Sequence, residues 1–93
     1  MVIEIRPRFE KNLKKLPYLV HAAVKDLIDK LVKAESLDKA GVNYTKMEGQ
    51  KKSENYYRVR FGEYRVGVEY IVPNVILLRI IKRSDMYKHF PSK

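Results

Sequence analysis

The sequence predicts an α+β fold in which two N-terminal helices pack on one face of an antiparallel sheet. Apolar residues recur at helical spacing between positions 9 and 31, whereas they alternate with polar residues between positions 55 and 82. A chain of 93 residues with 45% hydrophobic content is long enough for one core and too short for two. We therefore expect a single two-layer domain over residues 1–93, with the element order β-α-α-β-β-β.

The N-terminal third is predicted to contain one strand and two helices. Residues 2–6 alternate apolar with polar and end at Pro7, which suits a strand followed by a helix with proline in its first turn. Pro17 interrupts the helical pattern, so the chain should turn or bend there before a second, longer helix. The first apolar stripe comprises Phe9, Leu13 and Leu16, and the second comprises Val20, Ala23, Val24, Leu27, Ile28 and Leu31.

Three C-terminal strands are expected to form an antiparallel meander. They are joined by Gly62-Glu63 and by Pro73-Asn74, and both links are short enough for hairpin turns. Before them the periodicity fades over residues 35–53, which predicts a loop with one short extended piece at 44–47. The strands span residues 55–61, 64–72 and 75–82. Their predicted apolar face consists of Tyr57, Val59, Phe61, Tyr64, Val66, Val68, Tyr70, Val72, Ile76, Leu78 and Ile80.

The first strand of this meander carries arginine on its outward face. Alternation places Arg58 and Arg60 together there, with Arg65 across the tight turn and Arg79 on the last strand. Neighbouring guanidinium groups repel each other and do not stabilise the fold, so their grouping indicates a surface that holds phosphate. Taken alone, two such arginines more often belong to a solvated strand face with carboxylate partners than to a catalytic pair, and such surface ion pairs contribute only about 0–1 kcal/mol.

A second polar cluster follows the last strand and completes a candidate site for a phosphodiester. Arg83 and Tyr87 lie in this segment, and the tyrosine can stack on a base, donate a hydrogen bond or pack on the sheet. Guanidinium groups stabilise the negative charge that develops when a phosphate is attacked. In RNA the adjacent 2′-hydroxyl can be the nucleophile. We expect neither a metal nor a cofactor, since paired carboxylates are missing and His21 lies far from His89 in the chain.

Composition favours a polyanionic partner. The chain has 20 basic and 11 acidic residues, for a net charge of +9, although a solvated lysine surface would also account for this charge. Lys46, Lys51 and Lys52 lie in the loop before the arginine strand, where they can contact an RNA backbone. The chain has no cysteine and no apolar run that could span a bilayer. We expect a soluble protein of the cytoplasm without a membrane partner.

Four short motifs in this order resemble the RelE/ParE superfamily of bacterial toxins, on its RelE and HigB side. Residues 9–16 also match its first helix, so the similarity covers nearly the whole chain. The motifs are Lys46-Met47-Glu48-Gly49, the segment from Tyr57 to Val66, Leu78-Arg79-Ile80-Ile81-Lys82-Arg83 and Asp85-Met86-Tyr87.

This resemblance implies a RelE-like fold and a toxin of a type II toxin-antitoxin system. It implies a ribosome-dependent endoribonuclease that cleaves mRNA in the A site, with a cognate antitoxin as partner and a toxin-antitoxin hetero-oligomer as its inhibited form. An acidic or amphipathic antitoxin segment would neutralise the basic surface. The implied catalytic residues are Arg58, Arg60, Arg65, Arg83 and Tyr87. The residues expected to contact RNA around them are Lys46, Lys51, Lys52, Arg79 and Lys82.

Two departures from the family pattern leave the proton acceptor unassigned. Many relatives have histidine where this chain has Lys82, and some have lysine where it has Arg58 and Arg60. Arginine is a poor general base because it stays protonated. Two further functions therefore stay open: a ParE-like toxin that inhibits gyrase without ribonuclease activity, and an inactive relative that binds RNA. The candidate proton acceptors are Glu48, Glu63, Tyr87 and His89.

Overall fold

The computed structural model describes residues 1–85, and the predictions made for Tyr87 and His89 lie outside the described residues. The chain forms two helices and five strands in the described part. The elements are β1 (Val2–Ile5), α1 (Pro7–Lys14), α2 (Tyr18–Lys33), β2 (Tyr44–Lys46), β3 (Tyr56–Phe61), β4 (Tyr64–Ile71) and β5 (Asn74–Lys82), followed by a 3-10 turn at Arg83–Asp85.

Prolines set the boundaries of both helices. Pro7 occupies the first turn of α1, where its missing N–H has no helical partner to lose. Pro17 is extended at ψ 151° and directly precedes α2, so the first helix cannot continue through it. His21 Nε2 lies 3.2 Å from the carbonyl oxygen of Leu16 and closes the bend between the two helices. The predicted break at Pro17 is therefore confirmed.

The five strands form one sheet in the order β1-β5-β4-β3-β2. Neighbours from β2 to β5 are antiparallel, as predicted for the meander. The predicted α+β class is confirmed, with two differences in the sheet. β1 pairs in parallel with β5, so the sheet is mixed, and the segment predicted as a short extended piece is a fifth strand, β2. Side-chain alternation carries no information on strand direction, which explains the first difference.

The helices cover one face of the sheet and enclose the core. Phe9 of α1 and Leu31 of α2 are 1% and 0% exposed, and both pack against strand residues that are equally buried. Burial of this apolar surface is the main favourable term in folding. The strand side chains of the core are Val59, Val66, Val68, Val75, Leu77 and Ile80.

A β-bulge in β5 overturns part of the predicted apolar face. Gly67 is paired with Arg79, but the next residue of β4, Val68, is paired with Leu77, so Leu78 is an extra residue in the ladder. The extra residue inverts the alternation, and the core side chains before it are therefore Val75 and Leu77 instead of Ile76 and Leu78. Leu78 packs on the opposite face of the sheet, in a small cluster with Met47, Tyr56 and Ile81. The assignment of Val72 was also wrong, because it follows β4 and is 62% exposed.

Two tyrosines anchor the loop that leads into β2. The backbone N–H of Leu37 donates to the hydroxyl of Tyr70 at 3.2 Å, and Leu37 itself is buried in the core. The hydroxyl of Tyr44 donates to the carboxylate of Asp38, and this hydrogen bond is the main cause that raises the pKa of Tyr44 to about 12. These contacts determine where β2 begins at the edge of the sheet.

Neither described helix could serve as a membrane span. Within residues 1–85, no helix combines sufficient length with sufficient apolar character to cross a bilayer.

We predict that two leucines of α2 differ sharply in their effect on stability. Leu31→Ala should lower the free energy of unfolding by about 2–5 kcal/mol, since it leaves a cavity in the core. Leu19→Ala removes the same atoms from a side chain that is 80% exposed, and should change stability by less than about 0.5 kcal/mol. Denaturant titration followed by circular dichroism measures both. Equal losses would contradict the placement of the core.

Candidate phosphodiester-binding site

The β3–β4 hairpin brings its arginines together on the face of the sheet opposite the helices. Arg60 is paired with Arg65 across the two strands, and Arg58 is paired with Gly67. The turn between the strands is tight because Gly62 adopts a positive φ of 60°, a conformation that favours glycine. The guanidinium groups of Arg60 and Arg65 are thereby placed side by side. Arg58 lies two residues from Arg60 along β3, on the same face.

Two clefts open on this face, and three arginines line both of them. The Asn43 cleft has a volume of about 280 Å³, and the Glu63 cleft, about 660 Å³. Arg60, Arg65 and Arg83 are the residues that the two clefts share. The other lining residues of the Asn43 cleft are Asn43, Thr45 and Arg58. Those of the Glu63 cleft are Gly62, Glu63, Lys82 and Ser84.

Arg65 is held rigidly in the wall between these clefts. Its side chain is only 8% exposed, and Nη1 donates hydrogen bonds to the carbonyl oxygens of Gly62 at 2.8 Å and Tyr64 at 2.7 Å. Desolvation lowers the pKa of Arg65, and the charges of Arg60, Arg83 and Arg58 lower it further. A guanidinium group remains protonated despite such shifts, so the positive charges stay in place and repel each other.

The repulsion is not relieved by carboxylates in the described part of the protein. Within residues 1–85, no Asp or Glu forms an ion pair with Arg60, Arg65 or Arg83. A phosphate bound between these side chains would supply the missing negative charge and accept several charge-assisted hydrogen bonds. The geometry is therefore suited to a phosphodiester.

Arg83 reaches the hairpin because the 3-10 turn after β5 is attached to it. The backbone N–H of Arg83 donates to the carbonyl oxygen of Glu63 at 3.0 Å, and Lys82 is paired with Tyr64. This contact explains how a residue predicted only from a distant motif comes to line the same clefts as Arg60 and Arg65.

The remaining residues predicted to contact RNA are dispersed. Lys82 lines the Glu63 cleft, whereas Lys46 lies at a cleft of about 110 Å³ beside Glu48 and Arg58. Lys51 and Lys52 are exposed in the loop after β2 and line neither main cleft.

Arg79 does not join the shared arginines. It is half-buried on β5, where desolvation and the charge of Arg8 lower its pKa, and it lines neither main cleft. Arg79 and Arg58 are both paired with Gly67, from the two sides of β4, so they lie on the same face of the sheet as predicted, although Arg79 lies outside the two clefts.

Two polar residues of the Asn43 cleft, Asn43 and Thr45, were not predicted from the sequence. Thr45 is paired with Arg58, and the backbone N–H of Arg60 donates to the carbonyl oxygen of Asn43 at 2.7 Å. Asn43 belongs to the stretch predicted as loop, and Thr45 belongs to the short extended piece predicted at 44–47. Their alternation with Tyr44, which packs against the core, was the only sequence signal that could have placed them on the arginine face.

We predict that two methionine substitutions differ in their effect on stability. Arg65→Met should lower the free energy of unfolding by about 1–3 kcal/mol, because the carbonyls of Gly62 and Tyr64 lose their side-chain donor. Arg60→Met removes the same charge from an exposed side chain and should change stability by less than about 0.5 kcal/mol. Urea denaturation measures both variants. A larger loss of stability in Arg60→Met than in Arg65→Met would show that the hydrogen bonds of Arg65 do not stabilise the hairpin.

Comparisons with known proteins identify the family of this chain. The model of the ParE toxin family, described as the toxin of the type II toxin-antitoxin system parDE, matches residues 3–87. A curated relative, Toxin RelE3 from Methanocaldococcus jannaschii, is 32% identical over 83 residues, which make up 89% of this chain and 91% of the relative.

Solved structures of toxins have the same fold. The RelB-RelE antitoxin-toxin complex from Methanococcus jannaschii contains a chain that matches with a TM-score of 0.76 and 30% identity, over 95% of this chain and 99% of that one. The archaeal RelE-RelB complex from Pyrococcus horikoshii matches with a TM-score of 0.68 and 23% identity, over 88% of this chain and 93% of that one. The chain belongs to the ParE toxin family, within the RelE/ParE superfamily, and is a toxin of a type II toxin-antitoxin system.

Proposed function

We propose that this toxin is an endoribonuclease that cleaves mRNA in the A site of the ribosome, and that a cognate antitoxin neutralises it. The observation that carries the proposal is the set of three arginines shared by two clefts and unmatched by carboxylates within residues 1–85. The 32% identity to a protein named Toxin RelE3 supports an activity of the RelE type. A ribosomal substrate requires the toxin to act in the cytoplasm.

The shared arginines hold the scissile phosphate in this proposal. Arg65 is held by two hydrogen bonds to backbone carbonyls, so it needs little rearrangement when negative charge develops on the phosphate. Arg60 and Arg83 contact the same phosphate from either side, and Arg58 contacts the neighbouring one. Tyr87, which lies outside the described residues, belongs to the catalytic set according to the family resemblance, and a tyrosine can stack on a base or donate a hydrogen bond. The nucleophile is the 2′-hydroxyl of the RNA, so the reaction needs no metal.

Basic residues outside the clefts contact the RNA backbone. Lys82 lies in the wall of the Glu63 cleft, and Lys46 beside Arg58 extends the positive surface along β2. Lys51, Lys52 and Arg79 lie further out and contribute long-range attraction, which salt should weaken.

The antitoxin binds next to the arginine site in this proposal. An apolar groove of about 340 Å³ lies between the start of α2 and the β3–β4 turn, and Leu19, Val20 and Phe61 line it. The groove shares Gly62 and Glu63 with the Glu63 cleft, so one segment can occupy both. An amphipathic acidic segment would place apolar side chains in the groove and carboxylates on the arginines. Solved complexes of the relatives contain RelB antitoxins.

The nuclease proposal predicts loss of cleavage when a shared arginine is removed. In a purified translation reaction the protein should cut mRNA within translated codons, and Arg83→Ala should reduce the rate about 10²–10³-fold. Mapping of the RNA ends measures both the site and the rate. Arg8→Ala, which removes an exposed arginine of α1 outside both clefts, is the matched control and should cut normally. Intact mRNA with folded, antitoxin-free protein would contradict the proposal.

A second candidate function is inhibition of gyrase, which the match to the ParE toxin family model favours. The same preparation would then block supercoiling by gyrase and leave mRNA intact on translating ribosomes. Tight RNA binding without cleavage and without gyrase inhibition would instead identify an inactive RNA-binding relative.

The antitoxin proposal predicts an effect of Leu19 on binding but not on folding. Leu19→Ala should weaken the affinity for the cognate antitoxin about tenfold, or about 1.4 kcal/mol, because an exposed side chain would lose its contact in the groove. Isothermal titration with purified antitoxin measures the change. Val32→Ala, at the far end of α2 and 51% exposed, is the control. Equal affinities of the two variants would place the interface elsewhere.

A further inference from the structure

The shared arginines leave the reaction without a proton acceptor. Attack by a 2′-hydroxyl requires that its proton be removed, and guanidinium groups have no lone pair to receive it. Among residues 1–85, Glu63 is the one carboxylate that lines either main cleft. It shares the Glu63 cleft with all three of the arginines assigned to the phosphate.

The backbone around Glu63 is held in place by those arginines themselves. Three successive carbonyl oxygens of the turn accept hydrogen bonds from them: Arg65 Nη1 donates to Gly62 and Tyr64, and the backbone N–H of Arg83 donates to Glu63. The distances are between 2.7 and 3.0 Å. The position from which the carboxylate extends is therefore coupled directly to the position of the bound phosphate, which is the arrangement that proton transfer requires.

The carboxylate of Glu63 is also available to a substrate. Its residue is exposed, and within residues 1–85 it forms no ion pair, although Lys82 and the three shared arginines line the same cleft. A carboxylate engaged in an ion pair would have to leave its partner before accepting a proton. Glu63 has no such partner in the described part of the chain.

Glu48, the other carboxylate considered, is less well placed. It lines a cleft of about 110 Å³ beside Arg58 and Lys46, and it lines neither main cleft. This cleft has less than half the volume of the Asn43 cleft and about one sixth of the volume of the Glu63 cleft, so it offers a nucleotide less space than either.

We propose that Glu63 is the general base of the reaction, an inference that rests on the ribonuclease function proposed above. Its carboxylate takes the proton of the 2′-hydroxyl, the 2′ oxygen forms a bond to phosphorus, and the bond from phosphorus to the 5′ oxygen breaks. The 5′ oxygen takes a proton from water, and Glu63 later returns its proton to solvent. The products are a 2′,3′-cyclic phosphate and a 5′-hydroxyl.

In-line attack also determines the direction of the RNA across the site. The nucleophile and the leaving oxygen lie on opposite sides of the phosphorus, so the two nucleotides extend to opposite sides of the shared arginines. The nucleotide that carries the attacking hydroxyl occupies the Glu63 cleft, and the nucleotide that leaves occupies the Asn43 cleft. Asn43 and Thr45 then face the leaving nucleotide.

The decisive variant is Glu63→Gln, tested on ribosomes with a short synthetic mRNA in the A site. Its single-turnover cleavage rate should fall about 10²–10⁴-fold, while affinity for a 2′-deoxy version of the mRNA stays unchanged. Glu10→Gln on exposed α1 removes one negative charge elsewhere and should cleave as the unmodified protein does. Glu63→Asp keeps a carboxylate and should cleave at an intermediate rate, which provides a readout if the glutamine variant does not fold.

A sulfur-substituted mRNA distinguishes a general base from a general acid as the role of Glu63. When the scissile 5′ oxygen is replaced by sulfur, the leaving group no longer needs a proton, so loss of an acid is rescued and loss of a base is not. The defect of Glu63→Gln should therefore be equal on the two substrates. Rescue by sulfur, loss of affinity for the 2′-deoxy mRNA, or slow cleavage by Glu48→Gln together with normal cleavage by Glu63→Gln would overturn the assignment. No cleavage by the unmodified protein would instead reject the ribonuclease function.

Discussion

The hydrogen bonds from Arg65 to the β3–β4 turn are the interaction on which the site depends. A charged side chain that is 8% exposed must find partners, and Arg65 finds them in the carbonyls of Gly62 and Tyr64. The same contacts hold the turn in place, and the carbonyl oxygen of Glu63 in this turn accepts a hydrogen bond from the backbone N–H of Arg83. One buried guanidinium thereby sets the positions of the hairpin, the 3-10 turn and the neighbouring arginines.

This arrangement places function in opposition to stability. Desolvation lowers the pKa of Arg65 most, and the like charges of Arg60, Arg83 and Arg58 lower it further by repulsion. The core lies on the other face of the sheet, and its strand side chains, such as Val59 and Ile80, are at most 1% exposed. Burial of these apolar side chains offsets the repulsion. In the proposed function this repulsion favours RNA binding, because an anion bound between the guanidinium groups relieves it. An antitoxin with acidic side chains would relieve it in the same way, which couples inhibition to the active surface in the proposed function.

The two clefts also differ in their walls. On one side of the shared arginines the wall contains Asn43, Thr45 and Arg58, and on the other it contains Glu63, Lys82 and Ser84. A symmetrical basic patch would bind a polyanion in either direction. Two different walls can distinguish the two ends of a dinucleotide, which gives the proposed nuclease a physical basis for orienting its substrate.

Periodicity and turn residues in the sequence alone determined most of the fold. The break at Pro17, the hairpin at Gly62 and the outward face of Arg58 and Arg60 all follow from local rules. The tertiary structure decided the features that depend on contacts between elements. The bulge at Leu78 inverted the core face of β5, and the short strand β2 brought Asn43 and Thr45 to the cleft. Strand pairing placed Arg79 across Gly67 from Arg58 but outside both clefts, and the contact between the 3-10 turn and Glu63 brought Arg83 to the other arginines. Alternation in a sequence tells which side chains share a face of one strand, but the register and direction of pairing arise from packing between strands that are distant in the chain.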